Sequence, residues 1–372
     1  MTKSFLRNAW YAALWSDELT DQMESREIIG ESVLLYRHDG QIRCMSNYCS
    51  HRSAPLHLGK LVNGEVQCPY HGLAFNCEGQ CVNNPNGTKM IPGKSDLRVY
   101  PVTEKYQLVW VWMGDPQQAD EATIPDFSIL SNPEFVTVKG TIEMDAYYEL
   151  ITDNLLDLTH VVTVHHDCLG SEAVARGENK VTTEGTTVWS NSWCPDGIAP
   201  PAWGAMFDNY EKPVDHWLYM RWDAPGHMLL DVGITPVGKS RNEGIWVYGT
   251  DVLTPVSADK TLYFWAITGL TDDPERFQAA WPQAIKYAFG SQDKPMIEAQ
   301  QRMLKQQGVT DIDDIAHAAV STDAGPIRAR YMLNKLRQAE LDNGHGLQPE
   351  NQDLIQLYQQ SLEETETVRP VV

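Results

Sequence analysis

The chain has 372 residues, 42% of them hydrophobic, enough to bury a full core and more than one. Its 50 acidic and 29 basic residues leave a net charge of −21, which repels phosphate backbones and argues against nucleic-acid binding. There is no run of about eighteen apolar residues to span a membrane, and the N-terminus is too polar for a secretory leader. Seven cysteines without framework spacing fit a reducing compartment, so the expected location is cytoplasmic.

From Arg26 to about Trp112 the pattern is short and strand-like. Val33-Leu-Leu-Tyr36 leads into the turn signal His38-Asp39-Gly40, then Ile42-Arg-Cys-Met45. Gly64, Gly72, Gly79, Gly87 and Gly93 punctuate the next segment at hairpin intervals, and Leu108-Val-Trp-Val-Trp112 closes the region as a strand before Gly114-Asp115-Pro116. This predicts an all-β domain over 1–116 and a second domain over 117–372, opening with an acidic, proline-containing linker to about Pro133. Val136–Lys139 and Ile142–Met144 alternate like strands. Leu150, Ile151, Asn154, Leu155, Leu158 and Val161 recur at threes and fours, predicting a helix over Tyr147–Val164. Alternation returns from Lys180 to Thr268 as a curved antiparallel sheet; helices are expected over Asp273–Gln307, Ile327–Asp342 and Asn351–Glu363. The fold class is therefore α+β.

Two cysteine–histidine pairs carry the chemistry of the first domain. Cys49-Ser50-His51 is followed, after sixteen residues, by Cys68-Pro69-Tyr70-His71. Two thiolates on one iron and two imidazoles on the other can hold a [2Fe–2S] cluster, and the neutral ligands raise its potential from about −400 mV towards roughly −150 mV or higher. A Cys₂His₂ zinc site uses the same ligand types, but zinc fingers pair Cys with Cys and His with His. Cys77-x-x-x-Cys81 is a weak metal or disulfide signal; free thiols are the plainer reading for the remaining cysteines.

A second site follows in Asp153-Asn154-Leu-Leu-Asp157-Leu-Thr-His160-Val-Val-Thr-Val-His165. Spacing of five rotates a regular helix about 140° out of register, so His160 and His165 converge only if the helix ends or distorts after His160. Two histidines and one carboxylate make the facial triad of non-haem Fe(II). The acid must come from elsewhere, Asp293 being the first choice and Glu298 the fallback. Structural histidines and an exposed helix acid remain the plainer accounts of His160, His165 and Asp157; in the functional account, Asp157 fixes the His160 tautomer and bridges electron transfer.

Together these motifs resemble the oxygenase component of the Rieske non-haem iron oxygenases over essentially the whole chain. The opening Arg7-Asn-Ala-Trp-Tyr11 and Asp323-Ala-Gly-Pro-Ile-Arg-Ala-Arg330 are most similar to the branch of vanillate and dicamba O-demethylases and toluenesulfonate methyl-monooxygenase. The resemblance implies a Rieske [2Fe–2S] domain held by Cys49, His51, Cys68 and His71. It implies a helix-grip (START-like) catalytic domain with C-terminal helices, in which His160, His165 and Asp293 hold mononuclear Fe(II) with Asn154 nearby. It further implies a head-to-tail homotrimer in which His71 of one subunit meets Asp157 of the next, and a separate flavin/ferredoxin-type reductase fed by NAD(P)H. The expected reaction is O₂-dependent hydroxylation of a methoxy or methyl group on a small aromatic substrate. Arene cis-dihydroxylation is the alternative, and a pure electron carrier the third class.

Some relatives place a histidine in the strand before the Leu253-Thr-Pro255 turn; Asp251 stands there in this chain, and Asp231 is expected to face the same cavity. Two such acceptors favour a donor-bearing substrate, although exposed strand-end carboxylates explain both residues equally well. Trp189, Trp193, Trp203, Phe207 and Trp217 are available to line a flat pocket or to pack a core.

Overall fold

The structure, a computed structural model, describes residues 5–87, 89, 91, 95–206, 212–315 and 318–342. Gly93, Phe207 and the helix expected over Asn351–Glu363 lie outside these residues. Arg7–Asp126 and Thr254–Ser257 pack as one compact unit, and the other described residues form a second.

The first unit holds ten strands: β1 Trp10–Trp15, β2 Glu24–Ile28, β3 Glu31–His38, β4 Gln41–Ser46, β5 Lys60–Val62, β6 Glu65–Gln67, β7 Ala74–Phe75, β8 Cys81–Asn83, β9 Val102–Lys105 and β10 Leu108–Trp112. They form three small antiparallel sheets, β1-β10-β9, β2-β3-β4 and β5-β6-β7-β8. The β3–β4 hairpin turns on Asp39 and Gly40, with φ of 51° and 73°, the left-handed pair that suits the twist of two-residue hairpins. The apolar run of β10 is buried at every position, the pattern expected of a central strand covered on both faces.

The second unit is built on a seven-stranded sheet: β11 Val136–Met144, β12 Glu178–Glu184, β13 Thr187–Gly197, β14 Val214–Asp223, β15 His227–Pro236, β16 Ile245–Ser257 (its last four residues counted with the first unit) and β17 Lys260–Gly269, in the order β11-β17-β16-β15-β14-β13-β12. Leu253–Pro255, read from the sequence as a turn, continue β16 instead. The helices are α1 Tyr148–Leu156, α2 Glu172–Ala175, α3 Pro201–Met206, α4 Pro274–Ile285, α5 Lys294–Gln306 and α6 Ala324–Asp342, with a π-helical segment, Lys286–Asp293, joining α4 to α5. No described helix is long and apolar enough to cross a membrane.

One expected helix is two elements. α1 stops at Asp157 (φ −107°, ψ 83°) and a 3₁₀ turn, Leu158–Val162, follows, so the break precedes both histidines. The cause is local: the Asp157 carboxylate accepts from the Thr159 N–H at 3.1 Å and the Thr159 hydroxyl at 2.6 Å, capping the new turn in competition with the old helix. α6 clamps α1 from one side. Arg330 pairs with Asp153, and the buried Arg337 guanidinium donates to Glu149 at 2.6 Å and to the Tyr148 hydroxyl at 2.7 Å.

Candidate active site

The first unit brings its cysteine–histidine pairs together on two loops of matching shape. Ser53 N–H donates to the Cys49 carbonyl at 2.9 Å, and Gly72 N–H to the Cys68 carbonyl at 3.1 Å. Each turn ends on a left-handed residue, Ser53 at φ 50° and Gly72 at φ 78°. Gly72 also lies where a Cβ would come within 3.0 Å of Pro85, so glycine suits it twice over. Cys49 and Cys68 sit in the buried cluster with Leu34, Leu56 and Phe75, while the His51 and His71 rings stand 4.6 Å apart. Burial pushes the Cys49 thiol up to about 11, and the Cys68 thiol beside it acts in the same sense. His71 Nδ1 is buried with no hydrogen-bond partner among the described residues. Two adjacent buried thiols and an orphaned imidazole nitrogen fit a [2Fe–2S] cluster, which takes thiolate and neutral imidazole together. The other five cysteines are free thiols; Cys77 and Cys168 are half-buried and Cys44, Cys81 and Cys194 buried.

In the second unit, His160, His165 and Asp293 converge, one ligand atom of each within 4.8 Å of the others. His160 Nε2 lies 3.6 Å from one Asp293 oxygen and His165 Nε2 lies 3.1 Å from the other. Both rings are turned by their Nδ1 atoms. His160 Nδ1 meets the Asp157 main-chain carbonyl at 2.6 Å, and His165 Nδ1 meets Gln292 Oε1 at 2.7 Å. Gln292 is held in turn, its amide donating to Asp167 at 2.9 Å, and Asp167 accepts from the Tyr287 hydroxyl at 2.6 Å. Asn154 donates to Asp293 Oδ1 at 3.3 Å. Burial pulls the His160 pKa down, outweighing Asp293; at His165 burial acts the same way, but the hydrogen bond and charge of Asp293 prevail and raise it. Outer partners that fix each ring and leave both Nε2 atoms facing one carboxylate fit a two-histidine, one-carboxylate iron site.

The π-helical segment explains how neighbours in sequence serve the same centre. Its wider turn carries Gln292 and Asp293 together towards His165, and such turns recur at functional sites. Glu298, one turn beyond, accepts from Asp145 N–H at 3.1 Å and pairs with Lys294.

The triad opens on an apolar cavity within the second unit, walled by the inner face of β14–β17 and by α4 with its π-helical extension. Leu218, Met220, Leu230, Val232 and Val247 supply the sheet wall. These features agree with what known proteins show. A Rieske [2Fe–2S] domain profile matches residues 9–101, and the vanillate O-demethylase oxygenase C-terminal domain profile matches residues 144–339. The chain is 36% identical to the oxygenase component of chloroacetanilide N-alkylformylase from Rhizorhabdus wittichii, over 90% of this chain and 97% of the relative. It is 35% identical to the dicamba O-demethylase oxygenase component of Stenotrophomonas maltophilia, over 91% and 99%. A crystal structure of dicamba monooxygenase bound to 3,6-dichlorosalicylic acid superposes with a TM-score of 0.85 at 33% identity, covering 91% and 99% of the two chains. Another, with non-haem iron and dicamba, gives 0.77 at 33% identity, covering 92% and 100%.

The chain belongs to the Rieske oxygenase components of the vanillate O-demethylase type. It is an oxidoreductase, and its relatives are themselves named as components of larger systems. In this Rieske oxygenase one reading of the second site, that of Asp231, is corrected by the structure. Asp157 orients His160 through its main-chain carbonyl; its carboxylate is engaged by Thr159 and by the Thr322 hydroxyl at 3.1 Å. Asp231 does not line the cavity: Leu230 and Val232 do, and strand alternation turns Asp231 to the other face, where it pairs with Arg241 and accepts from Trp217 Nε1 at 2.8 Å. Of the tryptophans, Trp203 reaches the cavity, while Trp217 stacks on Trp193 outside it.

Asp251 is on the cavity wall, 3% exposed, with the Tyr263 hydroxyl donating to it at 2.5 Å. Burial pushes its carboxyl up to about 7, against the Tyr263 hydrogen bond. Gln292, Trp281 and His216 escaped the sequence reading; only the adjacency of Gln292 to Asp293 hinted at a role.

Proposed function

We propose that this Rieske oxygenase receives electrons from a flavin/ferredoxin-type reductase fed by NAD(P)H and hydroxylates a methoxy or methyl carbon of a small aromatic substrate. One atom of O₂ enters a C–H bond and the other leaves as water, consuming two electrons and two protons. On a methoxy group the product is a hemiacetal, which collapses to a phenol and formaldehyde. The supporting observation is the convergence of His160, His165 and Asp293 on the wall of an apolar cavity, in a chain that also carries a Rieske domain.

Cys49, His51, Cys68 and His71 would hold the [2Fe–2S] cluster, in a domain of residues 1–116, and His160, His165 and Asp293 the mononuclear Fe(II), in a domain of residues 117–372. Bound there, the cluster supplies single electrons and the ferrous ion supplies O₂ activation. The chain's own part is to bind, orient and exclude water. Leucine, valine and methionine side chains dry the space beside the triad, which strengthens every polar contact within it. Asn154 holds one Asp293 oxygen in place, and Asp251 offers a partner to a donor group on the substrate. By family likeness the assembly is a head-to-tail homotrimer in which His71 faces Asp157 of a neighbouring subunit, and the setting is cytoplasmic. Ring dihydroxylation is not favoured by the dealkylating relatives.

The test is substrate-dependent O₂ uptake by purified protein with a surrogate reductase, across methoxy- and methyl-substituted aromatics. Stoichiometric formaldehyde from a methoxyarene is the expected result; cis-diols without formaldehyde would overturn it.

A further inference from the structure

One cavity residue takes no part in the chemistry of the triad. His216, on β14, is 2% exposed and lines the cavity, and neither ring nitrogen has a hydrogen-bond partner among the described residues. A buried imidazole left unpaired on both nitrogens costs free energy unless something that enters the cavity pairs with it. Burial drives its pKa down to about 3, so the ring is neutral, with one nitrogen donating and the other accepting.

Strand register places this residue far from Asp251, a second polar residue of the cavity wall. His216 pairs with Ile234, whereas Asp251 pairs with Met228, which pairs with Trp222. His216 and Trp222 are six positions apart on one strand, roughly 20 Å at about 3.3 Å per residue. Asp251 is close enough to the triad for the Asp293 charge to act on its carboxyl. The His216 side of the cavity is aromatic: the Trp203 ring lies 6.3 Å from the His216 ring and 6.1 Å from the Trp281 ring, and the neighbouring Ala202 N–H donates at 2.9 Å to the carbonyl of Cys168, three residues from His165. No lysine or arginine is among the described cavity-lining residues.

We propose that His216, Trp203 and Trp281 form a recognition subsite, separate from Asp251, that takes an uncharged hydrogen-bonding group, such as a hydroxyl or amide, carried on an aromatic substrate. The inference rests on the proposed aromatic-substrate oxygenase activity and narrows it. An anionic substituent at this subsite meets neither a cation nor a protonated imidazole, so carboxylates and sulfonates are disfavoured there. A hydroxyl or amide can instead satisfy one nitrogen of the ring and be packed between indoles.

The test measures binding to the iron-loaded holoenzyme by calorimetry for three matched probes: 3-(4-methoxyphenyl)propan-1-ol, 4-propylanisole and 3-(4-methoxyphenyl)propanoate. The alcohol is expected to bind wild-type protein at least tenfold more tightly than the carboxylate. In His216→Leu its affinity relative to propylanisole should fall about tenfold, and His216→Gln should restore most of it. An unchanged alcohol-to-alkane ratio in a folded His216→Leu protein overturns the subsite. So does preference for the carboxylate, or failure of the alcohol to bind wild type. Formaldehyde is scored separately: selectivity that depends on His216 without formaldehyde sinks the demethylation reading and leaves the subsite standing.

Discussion

Asp251 and Asp231 are the same side chain on neighbouring strands, and their surroundings set them apart. Asp231 keeps Arg241 as a counter-ion on the outer face, whereas Asp251 is buried among apolar groups with a single tyrosine donor. An unfolded aspartate titrates at about 3.9, but the native Asp251 does so at about 7. Between those values the native chain holds a proton that the unfolded chain has lost, so this group lowers stability as pH rises through the window. Asp251→Asn removes that dependence. Its melting temperature relative to wild type should climb from pH 5 to pH 7 by several degrees, since about 1 kcal/mol moves a domain of this size by roughly 2–4 °C, and then level off. Parallel thermal melts of the two proteins across pH 5–8 check this; a constant difference would show that Asp251 does not titrate there.

At the scale of elements, two devices place the triad. The π-helical segment puts Gln292 behind His165 and Asp293 in front of it. Gln292→Ala should weaken iron retention about 10–100-fold, as loss of an outer partner to a metal-bound histidine does, with the Rieske absorption unchanged; chelator competition measures it. The second device is the clamp of α6 on α1. Glu149 and Arg337 are buried together, and removing one partner strands the other charge. Arg337→Leu should therefore destabilise the second unit by about 3–5 kcal/mol, read by chemical denaturation. Restoring a neutral pair in Glu149→Gln/Arg337→Leu should recover part of the loss. The sequence shows both helices through their periodicity but not the clamp, because an acid and an arginine 188 residues apart reveal no pairing until the helices pack.

At the scale of the whole molecule, the two metal sites lie on separate compact units and should be separable. Iron analysis of reconstituted protein should give about three irons per chain, two from the cluster and one from the triad. His160→Ala/His165→Ala should drop the count to about two, abolish substrate-dependent O₂ uptake and leave the reduced-cluster EPR signal intact. Loss of the cluster signal in that variant would contradict the independence of the two centres.

Much of this protein is written in one dimension. Ligand types and their spacing in Cys49-x-His51, Cys68-x-x-His71 and Asp153–His165 are local, and so are the periods that mark strands and helices. These sufficed for the family and the α+β class. Three features were decided only by folding. The helix broke at Asp157, before His160 rather than after it, because a side chain competed for the backbone. Asp293 reached His165 across 128 residues through a π turn that no propensity signals. Which of Asp231, Asp251 and His216 faces the cavity, and with which charge, depended on strand register and on removal from water, and both are properties of the packed sheet rather than of any segment of it.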